Sequence, residues 1–286
     1  MNTTLRMPRR WERNGSRPAV PAGPGNLVFE DVTTSLGGRE VVSHCSFALE
    51  PGRVTAMVGP SGCGKSTIAF LAAGYQRPSA GQVWLGEKLV RGPGPERLMV
   101  FQESALMPWM TVAENVMLGP RSRGAGGRES RRVAEAMLRR VGLEEFGGAY
   151  PTQLSGGMQR RAELARALVN EPEAMILDEP FRGLDAMTRG LMQEYLAELC
   201  EESSAATLFI TTDIDEAILL ADRLLIMTAA PTRVGQVIDV PLPRPRQRTA
   251  VLRDPRTHEI KQTALEALRV EATRQFTDQQ EQEIRK

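Results

Sequence analysis

The stretch from Gly59 to Ser66, GPSGCGKS, decides the fold of this chain. It fits the pattern G-x-x-x-x-G-K-[ST], in which backbone N–H groups and the N-terminus of the next helix surround phosphate oxygens. The apolar run VTAMVG that ends at Gly59 predicts a buried strand, and TIAFLAAG predicts a helix that ends near Gly74. A strand, this loop and a helix in that order predict a phosphate site in an α/β domain.

The residue types of the loop suit a nucleoside triphosphate with Mg²⁺. We expect Lys65 to reach the β- and γ-phosphates, Ser66 to bind Mg²⁺ through its hydroxyl, and Thr67 to support the loop near the α-phosphate. Cys63 fills a variable position, where a packing role is favoured over a redox role. The loop residues expected to line the nucleotide are Gly59, Pro60, Ser61, Gly62, Cys63 and Gly64.

Two carboxylates follow the apolar run AMIL later in the chain. Asp178 suits the acid that supports Mg²⁺ in P-loop nucleotidases. Glu179 comes one residue later and is placed to take a proton from an attacking water, the task of a general base. The sequence therefore predicts hydrolysis as well as binding.

The order of apolar runs predicts the organisation of the chain. From Leu27 the pattern indicates short antiparallel strands, whereas later apolar strands are each followed by a helical stretch, which implies parallel pairing. The predicted fold is α/β, a P-loop NTPase (RecA-like) core with an antiparallel β subdomain and an inserted α-helical subdomain at about 102–166. Two short strands and a last helix near 258–271 are expected after Ala230. The predicted divisions are a disordered basic tail at 1–26, an ATPase domain at 27–240 and a C-terminal extension at 241–286.

Composition excludes several classes of protein. The 286 residues carry 36 basic and 35 acidic side chains, a formal charge of +1 that argues against a nucleic-acid partner. No apolar run approaches the ~18 residues that span a bilayer, and the basic N-terminus lacks the apolar centre of a signal peptide. The three cysteines have the spacing of neither a disulfide framework nor a zinc site, which indicates a reducing compartment.

The stretch from Leu154 to Arg160, LSGGMQR, separates this chain from other P-loop proteins. It resembles the signature motif of ATP-binding cassette (ABC) proteins, and the loop, FQES, LSGGM, MILDEP and GLDAMTR follow in the order of that family over about 27–239. The resemblance implies a set of further site residues. By that resemblance, Gln102 of FQES is a catalytic residue and a ligand of Mg²⁺, and Asp185 belongs to the nucleotide site. The γ-phosphate of the ATP that the opposite subunit holds would bind to Ser155, Gly156 and Gly157.

Finer features resemble the importer ATPases of the nitrate, sulfonate and taurine group. In that group the segment after the FQES glutamine receives a helix of the membrane subunit, so the resemblance implies that Gln102–Val112 is the transmission surface. The apolar contacts would be Leu106, Met107, Pro108 and Trp109. For Trp109 a packing role inside the protein stays open.

Two residues depart from the family pattern. Leu36 stands where family members place an aromatic residue that stacks on adenine, and it offers apolar contact only. Thr212 stands where the family has a switch histidine that contacts the γ-phosphate, and neither His44 nor His258 is near that position. Losing such a donor typically costs ~3 kcal/mol of transition-state stabilisation, so slow hydrolysis is expected.

The resemblance implies the ATPase subunit of an ABC importer, a peripheral protein at the cytoplasmic face of the inner membrane. ATP and Mg²⁺ are the expected ligands. The expected partners are a second cassette (identical or different, with a different one favoured), membrane permease subunits and, through them, a solute-binding protein. The alternative is a degenerate, weakly hydrolysing regulatory cassette paired with an active one. The solute is not specified by this chain.

Overall fold

The computed structural model describes residues 25–284, with side chains described as far as Thr277. The predicted basic tail at 1–26 therefore lies outside the described residues, apart from Gly25 and Asn26. Asn26 is buried, and its carbonyl accepts a hydrogen bond of 2.8 Å from the N–H of Gly86. Residue 26 thus belongs to the folded domain rather than to a tail.

The strands form two sheets, one antiparallel and one mainly parallel, as predicted. They are β1 (Leu27–Leu36), β2 (Arg39–Leu49), β3 (Val54–Val58), β4 (Ala80–Leu85), β5 (Lys88–Leu89), β6 (Arg97–Val100), β7 (Ala174–Asp178), β8 (Ala206–Ile210), β9 (Arg223–Met227) and β10 (Val234–Asp239). The antiparallel sheet has the order β2-β1-β4-β5. The other sheet has the order β10-β9-β3-β8-β7-β6, and β10 is its antiparallel strand.

The hairpin between β1 and β2 turns at Gly37 and Gly38. Both residues have positive φ, 57° and 78°, which a two-residue turn between right-handedly twisted strands requires. The two glycines therefore form the tight turn that joins β1 to β2.

The parallel sheet is buried on both faces. Every residue of β3, β7 and β8 is buried, as expected for parallel strands covered by helices. Along β3, Ala56 packs into the apolar cluster on one face and Met57 into the cluster on the other. Because β3, β8 and β7 are neighbours and parallel, the segments after their carboxyl ends meet at one edge of the sheet.

The helices are α1 (Lys65–Ala73), α2 (Val112–Ser122), α3 (Gly127–Arg140), α4 (Gly156–Leu168), α5 (Ala186–Glu202), α6 (Ile214–Leu220), α7 (Arg248–Arg253) and α8 (Pro255–Ile284). Helices α2 to α4 lie between β6 and β7, which confirms the helical insertion. Thr111 fixes the start of α2 through a reciprocal capping box with Glu114.

The C-terminal region differs from the prediction in two ways. One strand, β10, follows Ala230 within the described residues where two were predicted, and Thr232 makes only an isolated bridge with Val42. The following stretch PLPRPRQR contains three prolines, which remove the N–H donors that another ladder needs. The last helix runs over Pro255–Ile284 rather than about 258–271. Its second half is rich in helix-forming polar residues but lacks an apolar stripe, so periodicity did not reveal it.

Candidate active site

The glycine-rich loop joins β3 to α1 at the edge where the parallel strands end. Gly64 caps α1 with φ 118°, a conformation that L side chains rarely adopt. A Cβ on Gly59 would lie 2.9 Å from Cβ of Met227, so the loop also needs glycine there for close packing. Gly62 has φ 74° and open space around its missing Cβ. The loop therefore presents bare backbone to solvent, which suits a phosphate cradle.

Lys65 lies over this loop. Its Nζ donates hydrogen bonds of 2.9 Å to the carbonyl oxygens of both Gly59 and Pro60. The residue is buried although its side chain is cationic. The ammonium group is thus held against the loop where phosphate oxygens would enter.

Ser66 and Asp178 meet at the start of α1 and the end of β7. Burial raises the pKa of Asp178, while a hydrogen bond from Ser66 opposes that shift. A hydroxyl next to a carboxylate offers the oxygen ligands that Mg²⁺ prefers, so this pair fits the metal. The described residues hold no group of three or more His, Cys, Asp or Glu that could bind a metal ion.

Two further residues of the predicted nucleotide site, Cys63 and Thr67, are buried. Cys63 is fully buried, and burial raises the pKa of its thiol. Thr67 is buried on the first turn of α1. These placements favour packing over redox chemistry at Cys63.

Glu179 follows β7 with φ 44°, a conformation uncommon for a residue with a side chain. Its N–H donates a hydrogen bond of 2.9 Å to the carbonyl of Ile210 at the end of β8. Its carboxylate lies 3.2 Å from the guanidinium of Arg182. The carboxylate is therefore held at the edge of the sheet beside a cation.

A cavity of about 360 Å³ opens at this edge, and it brings three of the predicted residues together. Ser61, Glu179 and Thr212 line it, and so do two arginines, Arg182 and Arg189, that the sequence analysis did not identify. Arg182 lies three residues after Glu179 in DEPFRG, and this short spacing was the only sequence feature that could have indicated a contact between the two side chains.

A buried network holds the chain around Thr212. The Thr211 hydroxyl donates a hydrogen bond of 2.7 Å to the carboxylate of Glu216, which also accepts one of 3.0 Å from Gln193 of α5. The N–H of Asp213 donates 3.0 Å to the same Thr211 hydroxyl. Burial raises the pKa of Glu216. The side chain of Thr212 itself is exposed. Its position next to Glu179 in the cavity lining is therefore held by the hydrogen bonds of Thr211 and Asp213 on either side of it.

Gln102 lies just after β6 and is half-buried. Its carbonyl accepts a hydrogen bond of 2.8 Å from Arg160, which also donates 2.8 Å to the carbonyl of Phe101. Arg160 pairs in turn with Glu163 at 2.7 Å, and both side chains are buried. These hydrogen bonds, which no sequence motif predicts, tie Gln102 to α4.

The segment after Gln102 presents two kinds of apolar residue. Leu106 is 7% exposed and belongs to the apolar core, whereas Trp109 is 70% exposed. The expectation that Leu106 is a surface contact is therefore wrong, because its side chain packs inside the helical insertion. For Trp109 the packing alternative falls, since most of the indole faces solvent.

The signature residues lie at the start of α4. Ser155 caps the helix by accepting a hydrogen bond of 3.3 Å from the N–H of Met158. Gly156 follows, and a Cβ on Gly157 would meet Cγ2 of Thr188 at 2.5 Å, so α4 and α5 approach closely there. These residues lie outside the lining of the cavity next to Glu179.

The carboxylate of Asp185 caps α5. It accepts hydrogen bonds from the N–H groups of Met187 and Thr188 at 3.1 and 3.0 Å and from the Thr188 hydroxyl at 2.6 Å. These hydrogen bonds from Thr188 and Met187 lower the pKa of Asp185, which is therefore an ionised helix cap.

Leu36 ends β1 opposite Arg39, in the antiparallel sheet. Its side chain is about half exposed, at 48%. Leu36 thus presents an apolar side chain to solvent at the position where the adenine of ATP is expected.

Comparison with known proteins identifies relatives over most of the chain. The family model for ABC transporters matches residues 42–182. The bicarbonate transport ATP-binding protein CmpD of Synechococcus elongatus is 40% identical over 265 residues, which cover 88% of this chain and 94% of that protein. The nitrate import ATP-binding protein NrtD of the same organism is 40% identical over 257 residues, covering 87% and 94%.

The fold is similar to that of solved ATP-binding cassettes. A dimeric structure of a post-hydrolysis state of the cassette MJ0796, bound to ADP and Pi, matches with a TM-score of 0.66 and 28% identity, over 75% of this chain and 98% of that chain. Between residues 25 and 284, no helix has the length and apolar character needed to cross a membrane.

Proposed function

The chain belongs to the ABC transporter family, and we propose that it is the ATP-binding and ATP-hydrolysing subunit of an importer. As a family member it is an ATPase that uses ATP with Mg²⁺. The observation that carries the proposal is the convergence of Lys65, Asp178, Glu179 and Thr212 at one edge of the parallel sheet. Relatives named for nitrate and bicarbonate import support the importer assignment. Because both solutes are inorganic anions, such anions are the first solutes to test.

The loop residues bind the triphosphate in this proposal. Backbone N–H groups of the loop, including those of Ser61, Gly62, Cys63 and Gly64, surround the phosphates, and Lys65 neutralises the β- and γ-phosphates. Pro60 shapes the loop, Thr67 supports it near the α-phosphate, and Leu36 covers one face of the adenine. The Ser66 hydroxyl, Asp178 and Gln102 hold Mg²⁺, which when bound neutralises charge on the phosphates.

Glu179 acts as the general base. A water oxygen attacks the γ-phosphorus, the bond from that phosphorus to the bridging oxygen of ADP breaks, and the proton of the water passes to Glu179. The backbone bond from Glu179 to Ile210 keeps the carboxylate at the sheet edge, 3.2 Å from Arg182. Gln102 and Thr212 orient the water and the γ-phosphate.

A second cassette completes the site. Ser155, Gly156 and Gly157 lie away from the cavity beside Glu179, so they are available to the ATP of an opposing subunit, with Asp185 beside them at the start of α5. The dimeric state of the related cassette MJ0796 supports this arrangement. The partner is a second copy or a different cassette, and subunit stoichiometry decides between them.

Dimer closure on ATP drives the permease through the segment from Gln102 to Val112. Trp109 is the exposed apolar contact, and Arg160 ties the start of this segment to the signature helix. Movement of the signature is thereby passed to the surface that meets the permease. The protein acts at the cytoplasmic face of the inner membrane, held there by permease subunits that also receive a solute-binding protein.

A weakly hydrolysing regulatory cassette is the second candidate, and Thr212 at the switch position is the observation that favours it. Turnover separates the two functions. We expect the purified full-length protein to hydrolyse Mg-ATP and to co-purify with permease subunits from detergent. Tight ATP binding without turnover would establish the regulatory role, and purification without any permease subunit would contradict the importer assignment.

A further inference from the structure

The cavity between Glu179 and Thr212 contains a cation that the family pattern does not assign. Arg182 lines it, and one guanidinium nitrogen lies 3.2 Å from the Glu179 carboxylate. The Arg182 side chain is 61% exposed, whereas that of Glu179 is 18% exposed. The guanidinium is therefore largely open to solvent, while the carboxylate is mostly covered.

The other cations at this edge are less exposed: the Arg189 side chain is 39% exposed and Lys65 is buried, although the Nε of Arg189 makes no hydrogen bond. Arg189 lies 4.0 Å from the buried Glu216 and donates 3.0 Å to the carbonyl of Leu184. Lys65 is bonded to the carbonyls of its own loop. Of the three, Arg182 has the most exposed side chain, and it has one carboxylate partner.

We propose that Arg182 is a catalytic residue that contacts the terminal phosphate of ATP and supplies the donor that Thr212 lacks. This inference rests on the proposed ATPase function of the same site. Thr212 offers one hydroxyl and no charge, whereas a guanidinium offers five N–H donors and stays protonated.

The charges of the cavity explain why such a cation is needed. Glu179, Asp213 and Glu216 contribute three carboxylates to its lining, against the guanidinium groups of Arg182 and Arg189. An incoming phosphate anion increases this excess of negative charge. Arg182 moves from Glu179 to the γ-phosphate, which stabilises the phosphate and leaves the carboxylate free to accept the proton of water.

The same placement explains how Thr212 is tolerated. A threonine is shorter than a histidine, so it leaves room beside Glu179 for the guanidinium. Arg182 and a histidine at position 212 would then do the same work. Their contributions should overlap rather than add.

A double-mutant cycle tests the overlap. Steady-state hydrolysis of Mg-ATP is measured for the full-length parent, Arg182→Met, Arg182→Lys, Thr212→His and the double variant Arg182→Met with Thr212→His. Protein concentration is varied so that dimer formation does not limit turnover. Arg253→Met is the matched control, because Arg253 is exposed on α7. ATP binding is measured for each variant by calorimetry.

We expect Arg182→Met to lower kcat by about tenfold to a hundredfold with KM for ATP little changed, and Arg182→Lys to keep part of the activity. With His at position 212, the loss on removing Arg182 should shrink to about threefold or less. An unchanged or raised kcat in Arg182→Met would overturn the proposal and make Arg182 a restraint on Glu179. An equal loss in both backgrounds would overturn the overlap with Thr212. Failure of the proposed function is distinguishable, since the parent itself would then show no turnover.

Discussion

The hydroxyl of Thr211 donates a hydrogen bond of 2.7 Å to the buried carboxylate of Glu216. Gln193 of α5 donates a second hydrogen bond of 3.0 Å to the same carboxylate. Burial raises the pKa of Glu216, and both side chains that donate to it are neutral. This contact fixes the residue that precedes Thr212.

Thr211→Val should destabilise the protein by about 1–3 kcal/mol, because it keeps the shape of the side chain but leaves Glu216 short of a donor in a buried place. Thermal or urea unfolding measures the change. Thr211→Ser restores the hydroxyl and should recover most of the stability. Equal stability of the parent and Thr211→Val would show that the contact contributes nothing.

Lys65→Ala should abolish detectable binding of Mg-ATP in calorimetry, because it removes the charge that faces the β- and γ-phosphates. Lys88→Ala, at an exposed position of β5, is the control and should bind as the parent does. The unfolding temperature of both variants shows whether they fold. Undiminished affinity for Mg-ATP in folded Lys65→Ala would show that this loop does not bind the phosphates through Lys65.

The phosphate site was predictable from sequence because its residues are close along the chain or follow buried strands. GPSGCGKS needs only a strand before it and a helix after it, and Asp178 and Glu179 come directly after an apolar strand. Parallel strand order then brings these segments to one edge. Local sequence pattern and sheet topology together therefore determine this part of the site.

The contacts that were missed depend on long-range packing or on an unusual turn. Arg160 reaches the carbonyl of Gln102, 58 residues away in sequence, which no spacing rule reports. Arg182 faces Glu179 across a tight turn, in which the N–H of Arg182 donates a hydrogen bond of 3.1 Å to the carbonyl of Glu179 and Glu179 has φ 44°. Leu106 and Trp109 look alike as apolar residues after FQES, and only the packing of α2 and α4 separates a core residue from an exposed one.

Trp109→Ala should leave the unfolding temperature and the ATPase activity of the isolated protein nearly unchanged, because the indole is 70% exposed. In the assembled transporter it should reduce uptake per ATP hydrolysed. Leu106→Ala is the contrast, since the loss of a buried leucine typically destabilises by about 2–5 kcal/mol. Parent-like coupling in the Trp109 variant would exclude it from the transmission surface.

The three cysteines should be unreactive in the native protein. All three are buried and free, and burial raises the pKa of Cys45 and of Cys200 to about 12. A thiol of that pKa is ionised in about one molecule in ten thousand at pH 8, so alkylation should be slow there and should accelerate as pH rises. Labelling is followed by mass spectrometry with and without denaturant. Rapid native labelling at Cys63, which lies in the phosphate loop, would contradict its buried placement.

The most direct test of ATP hydrolysis at this edge of the sheet is the steady-state ATPase rate of Glu179→Gln, measured together with ATP binding. The variant keeps the shape of the side chain but cannot accept the proton of water, so we expect turnover to fall by about a hundredfold or more while ATP binding persists. Glu173→Gln, an exposed change just before β7, should hydrolyse ATP at the parent rate. Hydrolysis by Glu179→Gln at the parent rate would contradict the account, because the base would then lie elsewhere.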